Sequence, residues 1–455
     1  MATPRDLTAD ASAWPPAHPW VRPAAALTLV LAGVAAVWLF FRDAQRHVAG
    51  DLAAGPSTGA IGAALLIGCV AAMALAVLLF RPERGDLGAL IATSAAWSLT
   101  LLVALIAAWT TIATADRLDA WHGAPMLSAD DVDAYLAQHS PPGVAPYRIP
   151  TGVLVKSMEF LNGDNVQVTG YIWQQYGPDL PEDFVRGVVI AEAVEEAYDA
   201  QEVYRFERNG IETIGWYFAA VLRQPFEYAG FPFDEQDLWL RLWSRDFAAS
   251  TVLVPDFASY VTMDPRALPG IEEEFVYSGW SPVYSGFTLA IQPYSTSFGI
   301  GAAGDVVRLP ELYFNLVLDR NFVGPFIEHF VFALAVAVLL FGLLILSTDD
   351  EHLKARFQLS TAGVFGAASG LLFAVILKHN QLRGVVGSPG LSYIEVIPIL
   401  LYGGVVAVVV NAIVLASPMN VKFVHHRNNL LPVLAYWPAL LGVLLVFTLG
   451  VFFWA

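Results

Sequence analysis

The chain is expected to be a membrane protein of mixed α+β class, an extracellular antiparallel β-sandwich followed by four transmembrane helices and preceded by three more. Three observations lead there. A mean hydropathy of +0.55, with 56% hydrophobic and 14% charged residues, is too apolar for a soluble domain and too charged for a plain helical bundle. Seven segments approach the ~20 apolar residues that a spanning helix needs: 24–41, 58–80, 87–113, 326–346, 357–377, 393–416 and 430–454. Between the third and the fourth lies a polar insert of roughly 210 residues, the size of one ordinary domain, whose apolar residues alternate in the period of strands.

In chain order, residues 1–22 read as a cytoplasmic N-terminus and 23–114 as three transmembrane helices. The first apolar segment is long and has no small-residue cleavage site, so it reads as a true span and not as a signal peptide. Almost no charge lies within these spans, which argues against a transport pathway through them and for packing or modulation. The lone cysteine, Cys69, sits in the second span; no intrachain disulfide or thiolate metal site is possible. Residues 115–143 read as a linker, continued by the Pro-rich HSPPGVAPYRIP at 139–150.

The domain at 144–323 follows. VLVKSMEF (153–160), the turn NGDN (162–165) and VQVTGYIW (166–173) make a hairpin. Further strands are expected at 212–222, 238–243, 273–280, 286–292 and 311–318, with a helix only at 191–202. Residues 116–323 hold 30 acidic and 12 basic residues, a balance of −18, while the rest of the chain is near neutral. Such a surface excludes nucleic acid as a partner. No Gly-rich phosphate loop, HExxH pair or nucleophile elbow is present, so no enzyme activity and no cofactor is expected. The acidic runs Glu192, Glu195, Glu196 and Glu272–Glu274 are either a solvated face or carboxylates able to take calcium.

Residues 324–455 form a four-helix transmembrane domain. The excess of Arg and Lys in alternate loops (Arg5, Arg22, Arg81, Arg84, Lys354, Arg356, Lys422 and Arg427, against Arg42, Arg46, Lys378 and Arg383) puts the N-terminus inside and the insert and C-terminus outside. In the helix after 357, Gln358, Ala362, Phe365, Ser369, Leu372 and Ile376 fall within about 40° of one line at 100° per residue. Gly363, Gly366 and Gly370 occupy a neighbouring face, where small side chains permit close helix contact.

A sandwich carrying an FPFD turn (231–234), a last strand ending in Arg320 just before a helix, and four closing helices resembles the pentameric ligand-gated ion channels, the Cys-loop receptor superfamily. VQVTGYIWQQY is similar to that family's second strand, the stretch from 347 to 377 to its pore helix and SYIEVIPILLYGGVVAVVV to its third helix; the likeness covers about 144–455. Gln224 and Leu238 stand where animal members carry two cysteines, as in prokaryotic members without the disulfide.

The resemblance implies a homopentameric channel of the bacterial inner membrane with a periplasmic sandwich, opened by a small molecule, proton or calcium, the lipid bilayer being its surroundings. It implies pore lining by Lys354, Gln358, Ala362, Phe365, Ser369, Leu372 and Ile376, with Phe365 as the gate. Lys354 would repel cations, whereas Asp349, Asp350 and Glu351 could dominate it. It implies coupling through Phe231, Pro232, Phe233 and Asp234, with Asp234 facing Arg320, aided by the hairpin tip and by Lys378 and Arg383. It implies a ligand site between subunits with Tyr171, Trp243, Phe247 and Tyr294, although VVIAEAVEEAY at 188–198 lacks the family's Trp and Pro. A non-conducting membrane sensor of the same fold is the alternative.

Overall fold

The computed structural model describes residues 21–48, 58–114, 122–140, 146–247, 250–275, 279–296, 298–299, 309–348, 360–386, 390–419 and 421–454, less the side chains at 33, 36–48, 58, 83, 195–199 and 385. The chain divides into two compact units. One comprises Met1–Ala115, Ile327–Gln381 and Tyr393–Ala455; the other comprises Asp116–Phe326 and Leu382–Ser392.

The second unit carries the strands β1 (Ala124–Pro125), β2 (Tyr147–Phe160), β3 (Asn165–Tyr176), β4 (Val188–Ile190), β5 (Ala193–Arg208), β6 (Ile211–Arg223), β7 (Glu235–Ser244), β8 (Thr251–Pro255), β9 (Trp280–Ala290) and β10 (Glu311–Arg320). They form two five-stranded sheets, ordered β1-β9-β10-β7-β4 and β5-β6-β3-β2-β8. Alternation decides which side chains turn inward. Val166, Val168, Ile172 and Tyr176 of β3 and Leu238, Leu240 and Leu242 of β7 are buried, and both sets join one apolar cluster. The β2–β3 turn is fixed by Asn162, whose Oδ1 accepts from the backbone N–H groups of Asp164 and Asn165, each at 3.1 Å.

Three expectations are corrected here. The helix expected at 191–202 is strand β5, paired with β6 along its length; partnership with a neighbouring strand overrides the helical preference of its Ala and Glu. Of the strand expected at 273–280, Glu272–Phe275 form a turn, Gly279 has φ +76° and only Trp280 belongs to a described strand, while 276–278 lie outside the described residues. The sheets are not wholly antiparallel, since Tyr147–Thr151 of β2 runs parallel to Thr251–Pro255 of β8. Part of the stretch read as linker is also folded. Ser128 and Asp131 form a reciprocal cap on a helix at Ala129–His139, and Val132 and Leu136, one turn apart, enter the apolar cluster.

The helices in chain order are α1 (Val21–Val48), α2 (Thr58–Phe80), α3 (Leu87–Ala113), α4 (Ala129–His139), α5 (Val323–Leu346), α6 (Thr361–Val386), α7 (Val396–Ala416), α8 (Lys422–His425) and α9 (Leu430–Phe453). Among the described residues, six helical stretches are long and apolar enough to cross a membrane: Gly59–Phe80, Leu87–Ala113, Val323–Leu346, Thr361–Gly384, Tyr393–Ala416 and Leu430–Phe453. The seventh expected span, 24–41, falls in α1, whose described apolar part is Val21–Ala32.

Within the first unit, α3 is stitched to its neighbours by side-chain hydrogen bonds. Ser94 Oγ donates to the Leu434 carbonyl at 2.6 Å and Trp97 Nε1 to the Met73 carbonyl at 3.0 Å. Trp109 Nε1 donates to the Tyr393 hydroxyl at 2.7 Å, and that hydroxyl lies 2.8 Å from Thr448 Oγ1. Thr448 spends its own proton on the Leu444 carbonyl, so Tyr393 is the donor to Thr448. Tyr393 is 1% exposed, and in an apolar interior such a chain holds together because each group would otherwise stand unsatisfied.

Candidate functional site

The turn after β6 is built around a buried ion pair. Arg320, the last residue of β10, directs Nε to Asp234 Oδ1 at 2.6 Å and Nη2 to Oδ2 at 2.9 Å, a two-pronged contact. The Arg320 backbone N–H donates to the Asp234 carbonyl at 3.2 Å, and Gln236 Nε2 to Asp234 Oδ2 at 2.8 Å. The side chains are 2% (Asp234) and 13% (Arg320) exposed. Aromatic rings complete the lining: the guanidinium lies 4.0 Å from the Trp280 centroid, 4.7 Å from Phe231 and 5.9 Å from Tyr228. The Phe231–Pro232 peptide is cis. Phe233 is buried against Phe322, with centroids 5.5 Å apart. The Asp234–Arg320 contact implied by the family resemblance is therefore present. Trp280, Tyr228 and Gln236 were not anticipated, since nothing in their local sequence ties them to Arg320. Of the other coupling candidates, Lys378 Nζ pairs with Glu328 Oε1 at 2.5 Å and Arg383 Nη1 donates to the Gly390 carbonyl at 3.3 Å.

Three of the four expected ligand residues come together. The Trp243 ring lies 5.7 Å from Phe247 and 6.2 Å from Tyr294, and Phe298 joins at 6.1 Å from Trp243 and 5.1 Å from Tyr294. Phe247 and Phe298 are about half exposed. Into this cluster β7 also sends Arg241, whose guanidinium lies 5.3 Å from the Trp243 centroid. Arg241 Nε meets Glu192 Oε1 at 2.8 Å and Nη1 lies 3.9 Å from Glu311 Oε2. Its Nη1 donates to the Tyr294 hydroxyl at 3.2 Å, which donates to Glu311 Oε1 at 2.7 Å. Burial raises the Glu192 carboxyl above its usual range while Arg241 pulls it back. The partnership of Glu192 is thus with a guanidinium, and among the described residues no group of three or more His, Cys, Asp or Glu is placed to hold a metal ion. The alternation Trp239, Arg241, Trp243 along β7 was the available signal for Arg241, because alternate residues of a strand share a face.

Tyr171 lies elsewhere, on β3 of the other sheet, 5.4 Å from Tyr217 and 6.0 Å from Lys156 Nζ. Two residues along the same face, Trp173 and Gln175 line a cleft of about 470 Å³ with Tyr204, Phe206, Arg208 and Ile211. Asp256, 3% exposed, anchors that floor: its Oδ2 accepts from Trp173 Nε1 at 2.8 Å, Gln175 Nε2 at 2.9 Å and Ser259 Oγ at 2.5 Å. Gly152 makes room for the indole, since a Cβ there would lie 2.1 Å from the Trp173 ring.

Of the expected pore stripe, Lys354 and Gln358 lie outside the described residues, as do Asp349, Asp350 and Glu351. Ala362, Phe365, Ser369 and Ile376 are exposed, Phe365 at 57%, and Leu372 is half-buried, whereas Val364, Ala368 and Val375 are buried on another side of α6. Ser369 Oγ donates back to the Phe365 carbonyl at 2.8 Å. Gly366 and Gly370 have no atom within 4 Å of an added Cβ, so the described residues make no close helix contact at these glycines. A polar group that sequence reading missed lies at the C-terminal end of α6. His379 Nδ1 is 3.0 Å from the Tyr402 hydroxyl, and its Nε2 is 3.3 Å from Oε1 of the fully buried Glu395.

No known family profile matches the chain, and no curated protein matches it.

Proposed function

We propose that the chain is one subunit of a ring-forming ion channel of the pentameric ligand-gated type, a homopentamer of the bacterial inner membrane. In this reading the two sheets form a periplasmic sandwich that senses the stimulus. The turn at 230–237 and Arg320 pass movement to α5, which begins three residues after Arg320, and α6 lines the pore. The observation that carries the reading is the Asp234–Arg320 pair: two residues 86 positions apart, named from a motif resemblance alone, meet in a two-pronged, aromatic-walled contact.

Two features add support. The aromatic cluster of Trp243, Phe247 and Tyr294 and the cleft at Trp173 belong to different sheets of one chain, an arrangement that fits a ligand site assembled from two faces of neighbouring copies. The stripe Ala362, Phe365, Ser369 and Ile376 is exposed among the described residues, as a face turned to a pore or to neighbouring copies would be. A second reading, a non-conducting sensor of the same fold, is favoured by the self-satisfied Ser369 hydroxyl, which leaves the described stripe apolar.

Currents from purified protein in planar bilayers, across pH, calcium and amine or carboxylate ligands, separate the two. Ligand- or pH-dependent unitary currents support the channel; a silent bilayer with ligand-dependent fluorescence from the sheet unit supports the sensor. A subunit count other than five by native mass measurement would falsify the pentamer.

A further inference from the structure

Strand β4 pairs with the edge of β7 away from β10 only over Leu242–Ser244. Past Leu242 the backbone groups on that edge still need partners, because a buried N–H or C=O left unpaired costs about as much as a lost hydrogen bond. Side chains supply them. The Arg241 N–H donates to Glu192 Oε2 at 3.3 Å. Two residues away, where the backbone again turns to the same edge, the Trp239 N–H donates to Gln224 Oε1 at 3.4 Å and the Trp239 carbonyl accepts from Gln224 Nε2 at 2.5 Å.

Gln224 directly follows β6, a strand of the other sheet, so its amide joins the two sheets through the backbone of β7. It is 2% exposed. The Gln224 N–H donates to the Asp164 carbonyl at 3.0 Å, and Arg223 Nε donates to Asn165 Oδ1 at 3.1 Å, so the same two residues hold the tip of the β2–β3 hairpin. Gln236 of β7 works in the reverse direction. It lies on the face that sends Leu238 and Leu240 inward, and it too is 2% exposed. Its Oε1 accepts from the Glu227 N–H at 3.0 Å, while its Nε2 donates to the Glu227 carbonyl and to Asp234 Oδ2, each at 2.8 Å. The turn between β6 and β7 is thus closed at two rungs, one amide reaching forward from Gln224 and one reaching back from Gln236.

We infer that Gln224 is a positioning residue: its side chain makes the hairpin tip at 162–165 and the turn at 230–237 one mechanical piece, and Gln236 passes that constraint to Asp234 and so to Arg320. The links are continuous. Asp164 meets Gln224 through the backbone, Gln224 meets Trp239 through its amide, three residues of β7 lead to Gln236, and Gln236 meets the carboxylate that Arg320 grips. Apolar packing between sheets has no preferred direction, whereas two bonds from one amide fix both distance and orientation. In the channel reading, tip and turn therefore act on the helices together. The tie itself does not depend on whether the chain conducts, and its failure would leave that reading standing.

Hydrogen–deuterium exchange of the full chain in detergent tests it, with peptides covering 160–166 and 228–236 referenced to 168–174 in the middle of β3. Gln224→Leu nearly keeps the volume and removes both side-chain bonds. With two backbone groups of Trp239 left unmet, both peptides should exchange about 10- to 100-fold faster, and they should do so together. Faster exchange in one peptide alone, or in neither, overturns the tie. Gln224→Glu separates the bonds from the packing. When protonated, its carboxyl offers one donor and one acceptor in the shape of the amide; when ionised, it can only accept and is set against the Trp239 carbonyl. Burial raises such a carboxyl, so relative to wild type at the same pH, protection should be kept at about pH 5.5 and fall towards that of Gln224→Leu at about pH 8.5. A Gln224→Glu curve parallel to wild type overturns the tie. Should Gln224→Leu lose β3 protection through misfolding, Gln224→Glu decides, and loss of its β3 protection at both pH values also overturns the tie.

Discussion

Asp234→Asn removes one charge from the Asp234–Arg320 pair and almost no volume. Breaking a buried pair by removing one partner costs about 3–5 kcal/mol, because the other charge is left uncompensated. Part of this is returned here. The Asn carbonyl still accepts one bond from Arg320, worth ~1 kcal/mol, and the Trp280 face at 4.0 Å still screens the guanidinium. The expected net loss is therefore ~2–4 kcal/mol, which for a unit of about 200 residues lowers the apparent Tm by roughly 5–15 °C. Arg320→Met should cost a similar amount, since it orphans the carboxylate between Gln236 and two emptied positions. The double variant should be less destabilised than the sum of the singles by roughly 2 kcal/mol. Thermal unfolding of the full chain in detergent, followed by tryptophan emission, measures all three. A shift under about 2 °C for Asp234→Asn, or strict additivity in the cycle, would refute the claim that this contact is a desolvated, mutually dependent pair.

Three further substitutions have expected outcomes. Phe365→Ala should raise unitary conductance or open probability in planar bilayers if the exposed Phe365 ring closes the pore; wild-type currents would remove it as the gate. Tyr393→Phe strands the Trp109 N–H and leaves Thr448 without its donor, so the helical unit should lose ~1–3 kcal/mol with a change in tryptophan emission, and an unshifted melt would show the chain of bonds to be idle. Gly152→Ala forces the Trp173 indole from its place, so the bond to Asp256 should break and any ligand bound in the cleft should be lost; retained binding by titration calorimetry would contradict the cleft as drawn.

Long, periodic elements were legible. The hairpin of β2 and β3, the strands β6, β7 and β10, and the six apolar helices announce themselves because each satisfies a local pattern over many residues. Strand β5 was not, since its Ala- and Glu-rich start prefers a helix until β6 supplies the pairing. Strand β1 and helix α4 were hidden in a stretch with little periodicity, their places set by β9 and the apolar cluster. The contact of Asp234 with Arg320 could be anticipated only through a motif. Arg241 with Glu192 and Glu311, and His379 with Glu395, join residues far apart in sequence, and no spacing rule reaches that far.

Arg241 bears on what the aromatic cluster can accept. Over the face of Trp243, where an incoming ammonium group would gain most, the protein has already seated a positive charge of its own. An amine would have to evict that resident, detaching it from two carboxylates and a phenol in the process. Were the cluster to serve as the proposed ligand site, a neutral or acidic guest would face no such competition, and the tenancy of this one guanidinium would tilt its chemistry away from amines.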